Sequence, residues 1–341
     1  MIELLKTLCA LPGPSGCEDA VRDFIRGQAE PFADEIREDA IGNLMVLRRG
    51  EKAPERPVVL AAHMDEVGVI VKRATEDGML KFGFVGGVDP RVVIGRRVRF
   101  GKTVGVIGIK AVHLTTAAER KHMPKTRDLY IDIGAENRAA AEALVAPGDY
   151  GVFDSPPVLF GDGFLKARAI DDRIGCAVLL TMLKDKPPVD TWFCFTVQEE
   201  TGLRGSATMA YALDPGFCLV IEGTTAADLY DVKDGKAVCR LRGGAVIPFM
   251  DGSTIYDAAL FELLRDAAAT RHIPWQTKSR VSGGTDAGRI HKSRAGVRVC
   301  AVAAPVRYIH SPASVAATAD CEAVLALCRA FLEELGGNDD E

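Results

Sequence analysis

No lysine- or arginine-rich cluster dominates this sequence, and its formal net charge is −5. That argues against nucleic acid or an anionic membrane as the main partner. No apolar run approaches the roughly 18 residues that a transmembrane helix needs. The opening Met1-Ile2-Glu3-Leu4-Leu5-Lys6 starts a short amphipathic helix and lacks the layout of a signal peptide. No C-x-x-C pair occurs, and the nine cysteines are scattered singly. Such a set reads as reduced, mostly core thiols in a cytoplasm, and it disfavours a zinc–thiolate centre. Repeats and low-complexity stretches are also absent. What is present is ordinary for a globular protein, 48% hydrophobic and 26% charged residues in a chain of 341. That length allows a large core in one or two domains.

The pattern of elements predicts an α/β fold with an insertion. Helices are expected over 2–10 and 18–29, with Ser15 or Glu18 as cap of the second, and a hairpin over 36–47. Buried strands are expected over 58–62, 192–197, 217–221 and 297–303. A further strand is expected over 275–281, and helices over 206–213, 256–269 and 320–335. Between 69 and 160 the character changes. Short β runs (69–73, 80–85, 92–100, 104–112, 129–133) follow one another, with one helix over 137–145. The expected division is a catalytic domain of residues 1–68 with 161–341, interrupted by a β-rich domain of 69–160. No chemistry is visible in the insertion, and His113 and His122 there are assigned to structure or to an oligomer contact. The polar tail 336–341 is expected to fray.

Chemistry gathers where strands end, which is where open α/β sheets bind ligands. The run Trp192-Phe193-Cys194-Phe195-Thr196-Val197 delivers Gln198-Glu199-Glu200-Thr201-Gly202. Two adjacent carboxylates repel, so a site that keeps both near a core needs a cation or a shared proton. Alone, the pair reads as a charged surface turn. The strand over 58–62 ends in His63-Met64-Asp65. Residues i and i+2 share a strand face, so Asp65 can accept a proton from one imidazole nitrogen and orient the other. Alone, that reads as a satisfied core histidine. Asp171-Asp172 opens a helix, as an N-cap and its neighbour do. Glu222 follows the strand over 217–221, and His310 follows the one over 297–303. Ser282-Gly283-Gly284-Thr285-Asp286 is a glycine-rich loop that fits no nucleotide fingerprint, and Arg289 beyond it reads first as a surface arginine. Together His63, Asp171, Glu200, Glu222 and His310 are imidazole and oxygen donors from five separate places. Two histidines with three carboxylates suit a pair of zinc, cobalt or manganese ions. Glu199, beside Glu200, is placed to move a proton as general base.

The sequence resembles the tetrahedral (TET) aminopeptidases, the metallopeptidase family that includes glutamyl aminopeptidase and proteins once labelled endoglucanase M. The matching motifs are Pro12-Gly13-Pro14-Ser15-Gly16, Ala62-His63-Met64-Asp65-Glu66-Val67-Gly68, Ala169-Ile170-Asp171-Asp172-Arg173, Gln198-Glu199-Glu200-Thr201-Gly202-Leu203-Arg204-Gly205, Gly284-Thr285-Asp286-Ala287 and Arg307-Tyr308-Ile309-His310-Ser311. They span the chain in the family's order. The resemblance implies a mixed-sheet, phosphorylase/hydrolase-like catalytic domain with an inserted PDZ-like β domain. It implies dimers, and a twelve-subunit tetrahedron built from them. It implies that His63 and Glu222 hold one metal, Glu200 and His310 the other, with Asp171 bridging and the Asp171–Asp172 peptide cis. Asp65 would orient His63, and Glu199 would be base and then acid. The family's usual residue at position 222 is Asp. The longer Glu222 can still reach a metal, and Asp228 is the alternative there. The function so implied is removal of N-terminal residues from short peptides. The rivals are a deacylase or carboxypeptidase of the same fold group, a glycoside hydrolase, and an inactive assembly relative.

Overall fold

The computed structural model describes residues 1–337. Its centre is an eight-stranded mixed sheet. Four parallel strands form the middle in the order Thr191–Thr196, Val58–His63, Phe217–Thr225, Arg298–Val306. Leu44–Arg48 adds antiparallel to Thr191–Thr196, and Glu35–Glu38 adds to that as a hairpin. The short Ala245–Val246 and Trp275–Gln276 complete the other edge. The parallel strands read as continuous apolar runs because both of their faces are covered. Val58, Leu60 and Ala62 pack on one side with Ile174, Val178 and Leu327. Val59 and Ala61 point the other way, among Met209, Leu213 and Ile290. The long helices Ile170–Met182 and Thr318–Gly337 thus contribute to the first layer, and Arg204–Leu213 with Ala287–Ile290 to the second.

The β-rich stretch closes into a six-stranded barrel of Gly68–Ala74, Leu80–Val85, Leu129–Asp132, Thr103–Ile109, Arg97–Phe100 and Tyr150–Phe153. Its interior is a separate apolar cluster around Val69, Leu80, Val98, Ile107 and Phe153. The chain enters the barrel at Gly68, directly after His63 and Asp65. The last barrel strand ends at Phe153. Val158–Phe160 pairs instead with Phe164–Ala167, which pairs with Ser314–Ala317 in a small third sheet. By hydrogen bonding, then, residues 158–160 lie outside the barrel, although the sequence reading placed them within the insertion.

Several strand expectations are shortened, 104–112 among them, which ends at Ile109 before the helical turn Val112–Leu114. Of 92–100, the first two residues belong to the helical turn Pro90–Val93 and only Arg97–Phe100 is strand. Asp89 caps that turn by accepting from the Arg91 amide at 2.9 Å, and proline supplies a preset first helical position. Within 275–281 only Trp275–Gln276 pairs. Residues 336 and 337 belong to the final helix, and the rest of the tail expected to fray lies outside the described residues.

The turn at 198–205 is braced from the hairpin. The Asn43 amide group donates to the Gly205 carbonyl at 2.8 Å, and its oxygen accepts from the Val197 amide at 3.0 Å. No side chain fits at 205, where a Cβ would stand 2.3 Å from Asn43 Oδ1 and 2.4 Å from the Val197 carbonyl oxygen. Backbone cannot yield as a flexible side chain does. Gly205→Ala is therefore expected to cost about 1–3 kcal/mol, measured as a lowered unfolding midpoint.

Candidate metal centre

The four parallel strands run the same way, so their carboxyl ends share one edge of the sheet. His63 closes its strand there in register with Thr196. Glu222 lies on the adjacent strand, which continues to Thr225 rather than stopping at Ile221. Glu199 and Glu200 follow Thr196, and His310 follows the strand ending at Val306. Asp171 approaches from the helix packed across these strands.

The five predicted donors converge. His63 Nε2 is 3.4 Å from Asp171 Oδ1 and 3.5 Å from Glu222 Oε2. His310 Nε2 is 3.4 Å from Asp171 Oδ2 and 3.2 Å from Glu200 Oε2. Asp171 therefore turns one oxygen to each histidine. The other imidazole nitrogens face acceptors. His63 Nδ1 lies 3.1 Å from the Asp65 carbonyl and 3.3 Å from its carboxylate. His310 Nδ1 lies 3.1 Å from the Gly87 carbonyl. Carbonyls accept only, so these contacts place a proton on each Nδ1 and turn each Nε2 toward the carboxylates. Histidines that bind metals are held this way.

Burial and crowding move the titrations. Burial works against a charged His63, yet the carboxylates of Glu222, Asp171 and Asp65 outweigh it and hold its pKa well above the ordinary value. His310 is carried to about 9 by Asp171 and Glu200 against the same penalty. Burial pushes Glu200 up to about 8 and Glu222 to about 7. The Glu199 carboxyl is held well above its usual range, first by burial, with Glu222, Asp286 and Glu200 acting in the same direction against His63.

The donor set fits divalent cations. Two ligands each about 2.1 Å from a tetrahedral ion stand about 3.4 Å apart. The four histidine–carboxylate separations are all close to that. Glu222 Oε1 is buried with no hydrogen-bond partner, a costly state for a carboxylate oxygen. Asp172, although near His63 and Glu222, is already occupied. Its oxygens accept from the Gly175 amide at 2.9 Å and the His63 amide at 3.2 Å. The peptide between Asp171 and Asp172 is cis. The capping reading of this pair thus describes Asp172, while Asp171 turns into the cluster. Asp228 is likewise committed, paired with Arg307 by two contacts of 2.7 Å.

Several neighbours escaped the sequence reading. Asp65 does more than face His63. It accepts from Ser15 Oγ at 2.5 Å and from the amides of Glu199 and Glu200 at 2.9 and 3.1 Å. One carboxylate thereby ties histidine and glutamate turn together. Glu18 takes the N-cap position of the helix Asp19–Ala29, but neither its side chain nor that of Ser15 makes a capping hydrogen bond. Glu18 accepts from the amides of Gly16 and Gln198 at 2.7 and 3.1 Å, because the loop folds it back toward the same turn. The β-rich stretch also takes part, since Gly87 supports His310. A backbone carbonyl has no sequence signature, so only the fold could reveal it. His113 and His122 are exposed and belong to neither converging group.

Comparison with known proteins follows this geometry. A family model described as M42 glutamyl aminopeptidase matches residues 42–327. The chain belongs to that family. It is 31% identical to the lysyl aminopeptidase of Pyrococcus furiosus, over 98% of this chain and 97% of the relative. Among solved structures it is similar to a TET aminopeptidase from the marine sediment archaeon Thaumarchaeota archaeon SCGC AB-539-E09. The TM-score is 0.93 at 35% identity, covering 98% of this chain and 96% of that one. It is also similar to the TET1 peptidase of Pyrococcus horikoshii, described as assembling into a tetrahedron or a large octahedral shell. There the TM-score is 0.84 at 34% identity, over 97% of this chain and 98% of the other. The mixed α/β fold is therefore that of the TET aminopeptidases. Glutamyl and lysyl aminopeptidases both occur among the relatives of this M42 chain.

Proposed function

We propose that this M42 chain is a dinuclear metalloaminopeptidase that removes N-terminal residues from short peptides. The observation that carries the reading is Asp171 turning one carboxylate oxygen to each of two histidine Nε2 atoms. His63 and Glu222 would hold one ion, Glu200 and His310 the other, and Asp171 both. Two such ions, zinc or cobalt with manganese also suited to the donors, would supply Lewis acidity toward the scissile carbonyl and acidify a water. Glu199 takes the proton from the attacking water as its oxygen bonds to the carbonyl carbon. Glu199 then gives that proton to the leaving nitrogen as the C–N bond breaks. Asp65 fixes His63 and, through the Glu199 amide, the position of the base. The free α-ammonium of the substrate would lie near the ions and these same acidic side chains.

The inserted barrel is read as the PDZ-like assembly domain, with dimers building a dodecamer. The assemblies of the TET1 relative support that reading. Eight of the nine free cysteines are buried, which supports a reducing, cytoplasmic setting. No described helix is long and apolar enough to cross a membrane.

The test is a panel of aminoacyl anilides with free amines and matching N-acetylated ones. Stripping with chelator is expected to abolish hydrolysis of the free-amine set, and Zn²⁺, Co²⁺ or Mn²⁺ to restore it. Activity confined to the acetylated set would move the chain to the deacylases. Hydrolysis of β-glucans that survives chelation would favour the glycoside hydrolase reading, which needs two carboxyls and no metal.

A further inference from the structure

A cavity of about 210 Å³ joins the proposed centre to a buried lysine. Its lining includes Asp171, Glu199, Glu222 and His310, and also Lys278 and Thr285. Lys278 is only 7% exposed. An ammonium carries three donors, and the one hydrogen bond given to Lys278 Nζ is a long one of 3.5 Å, to the Ser282 carbonyl. Among the described residues no carboxylate lies within ion-pair distance of it. Asp251, which acts on it most strongly, is satisfied elsewhere. Its oxygens accept from the Ser253 and Thr254 amides at 2.7 and 2.8 Å, from Ser253 Oγ at 3.0 Å and from the Tyr256 hydroxyl at 2.6 Å. A buried cation without a counter-charge is costly, and a structural lysine would be paired. Here the unfilled donors border a substrate-sized space.

We infer that Lys278 selects the substrate: the cavity takes an N-terminal glutamate or aspartate, whose side-chain carboxylate pairs with the Lys278 ammonium. This rests on the aminopeptidase reading and deepens it. The two charged ends of such a residue then meet complementary groups, the α-ammonium near the acidic side chains and the side chain at the lysine. The exposed Arg289 does not line the cavity.

The experiment compares kcat/KM of the metal-loaded enzyme on Glu-, Asp-, Leu- and Lys-anilides, which lack a C-terminal carboxylate that could compete. The acidic pair is expected to exceed Leu by at least about tenfold, as a charge-assisted hydrogen bond allows. Lys278→Met should lower the Glu-to-Leu ratio by a similar factor, mainly through KM. Lys278→Arg, which keeps the charge, should retain the acidic preference and decides the matter if the Met variant does not fold. Binding of free L-glutamate against L-leucine, by calorimetry, reads the same preference without turnover. A wild type that prefers Leu or Lys, or a Met variant with an unchanged ratio, overturns the inference while leaving the aminopeptidase standing. Silence on every free-amine anilide overturns both.

Discussion

Replacing Glu199 by Gln is expected to lower kcat by at least about 10²-fold while the metal content stays at the wild-type level. The expectation follows from where the residue sits. Its amide is held by Asp65 Oδ1 at 2.9 Å, and its side chain lines the cavity beside the proposed centre. It belongs to neither of the two converging donor groups. Gln keeps the size of Glu and removes the ability to take a proton. Burial already raises the Glu199 carboxyl well above its usual range, so a bound cation would be needed to bring it toward neutrality. Turnover with saturating anilide and elemental analysis of the same preparation separate the two effects. Full turnover in the variant would remove Glu199 as the base. Lost metal would make it a ligand instead.

The second large effect concerns stability. Glu66→Gln is expected to lower the unfolding free energy by about 3–5 kcal/mol, the range for breaking a buried ion pair. Glu66 is 2% exposed and meets two guanidinium groups that are themselves buried, Arg168 and Arg173. Its Oε1 also accepts from the Gly13 amide at 3.1 Å. The arginines extend the network. Arg168 donates to the Ala10 carbonyl at 2.9 Å, and Arg173 to the Met64 carbonyl at 2.9 Å and the Leu11 carbonyl at 3.1 Å. The first helix, the loop after His63 and the approach to Asp171 are thus pinned at one point. The Gln variant leaves two buried cations facing a neutral amide. Urea unfolding of metal-stripped protein measures the change without a contribution from bound ions. A loss below about 1 kcal/mol would mean that water reaches the arginines.

Much of the fold was legible because the apolar patterns were strong. The strands at 58–62 and 192–197 are unbroken hydrophobic runs, as two-sided burial requires. The shift to short runs after residue 69 marked the β-rich stretch. Where patterns were weak, the reading lengthened elements. Val92 looked like strand by its branching, but Asp89-Pro90 started a helical turn. Val281 looked like the end of a strand, but the ladder there has only two residues. Local propensity gives way to pairing partners in such places.

The site divides in the same way. Its donor types, their positions at strand ends and the likeness to the M42 enzymes could all be read along the chain. Residue types alone did not divide the duties of Asp171 and Asp172, although the family likeness gave the bridge to Asp171, since the division depends on which carboxylate the Gly175 and His63 amides capture. It could not find Gly87 behind His310, because the supporting atom is a carbonyl that every residue carries. Lys278 was invisible among the lysines until burial set it apart without a counter-charge. Sequence by itself determined which chemistry is available, because side-chain identity fixes the donors and their hardness toward metals. Only the tertiary structure decided which donors meet, which are spent on backbone amides and which remain free to face a substrate. The meetings that build the centre, His63 with Asp171 and His310 with Asp171 and Glu200, join residues a hundred or more positions apart, and no local pattern encodes them.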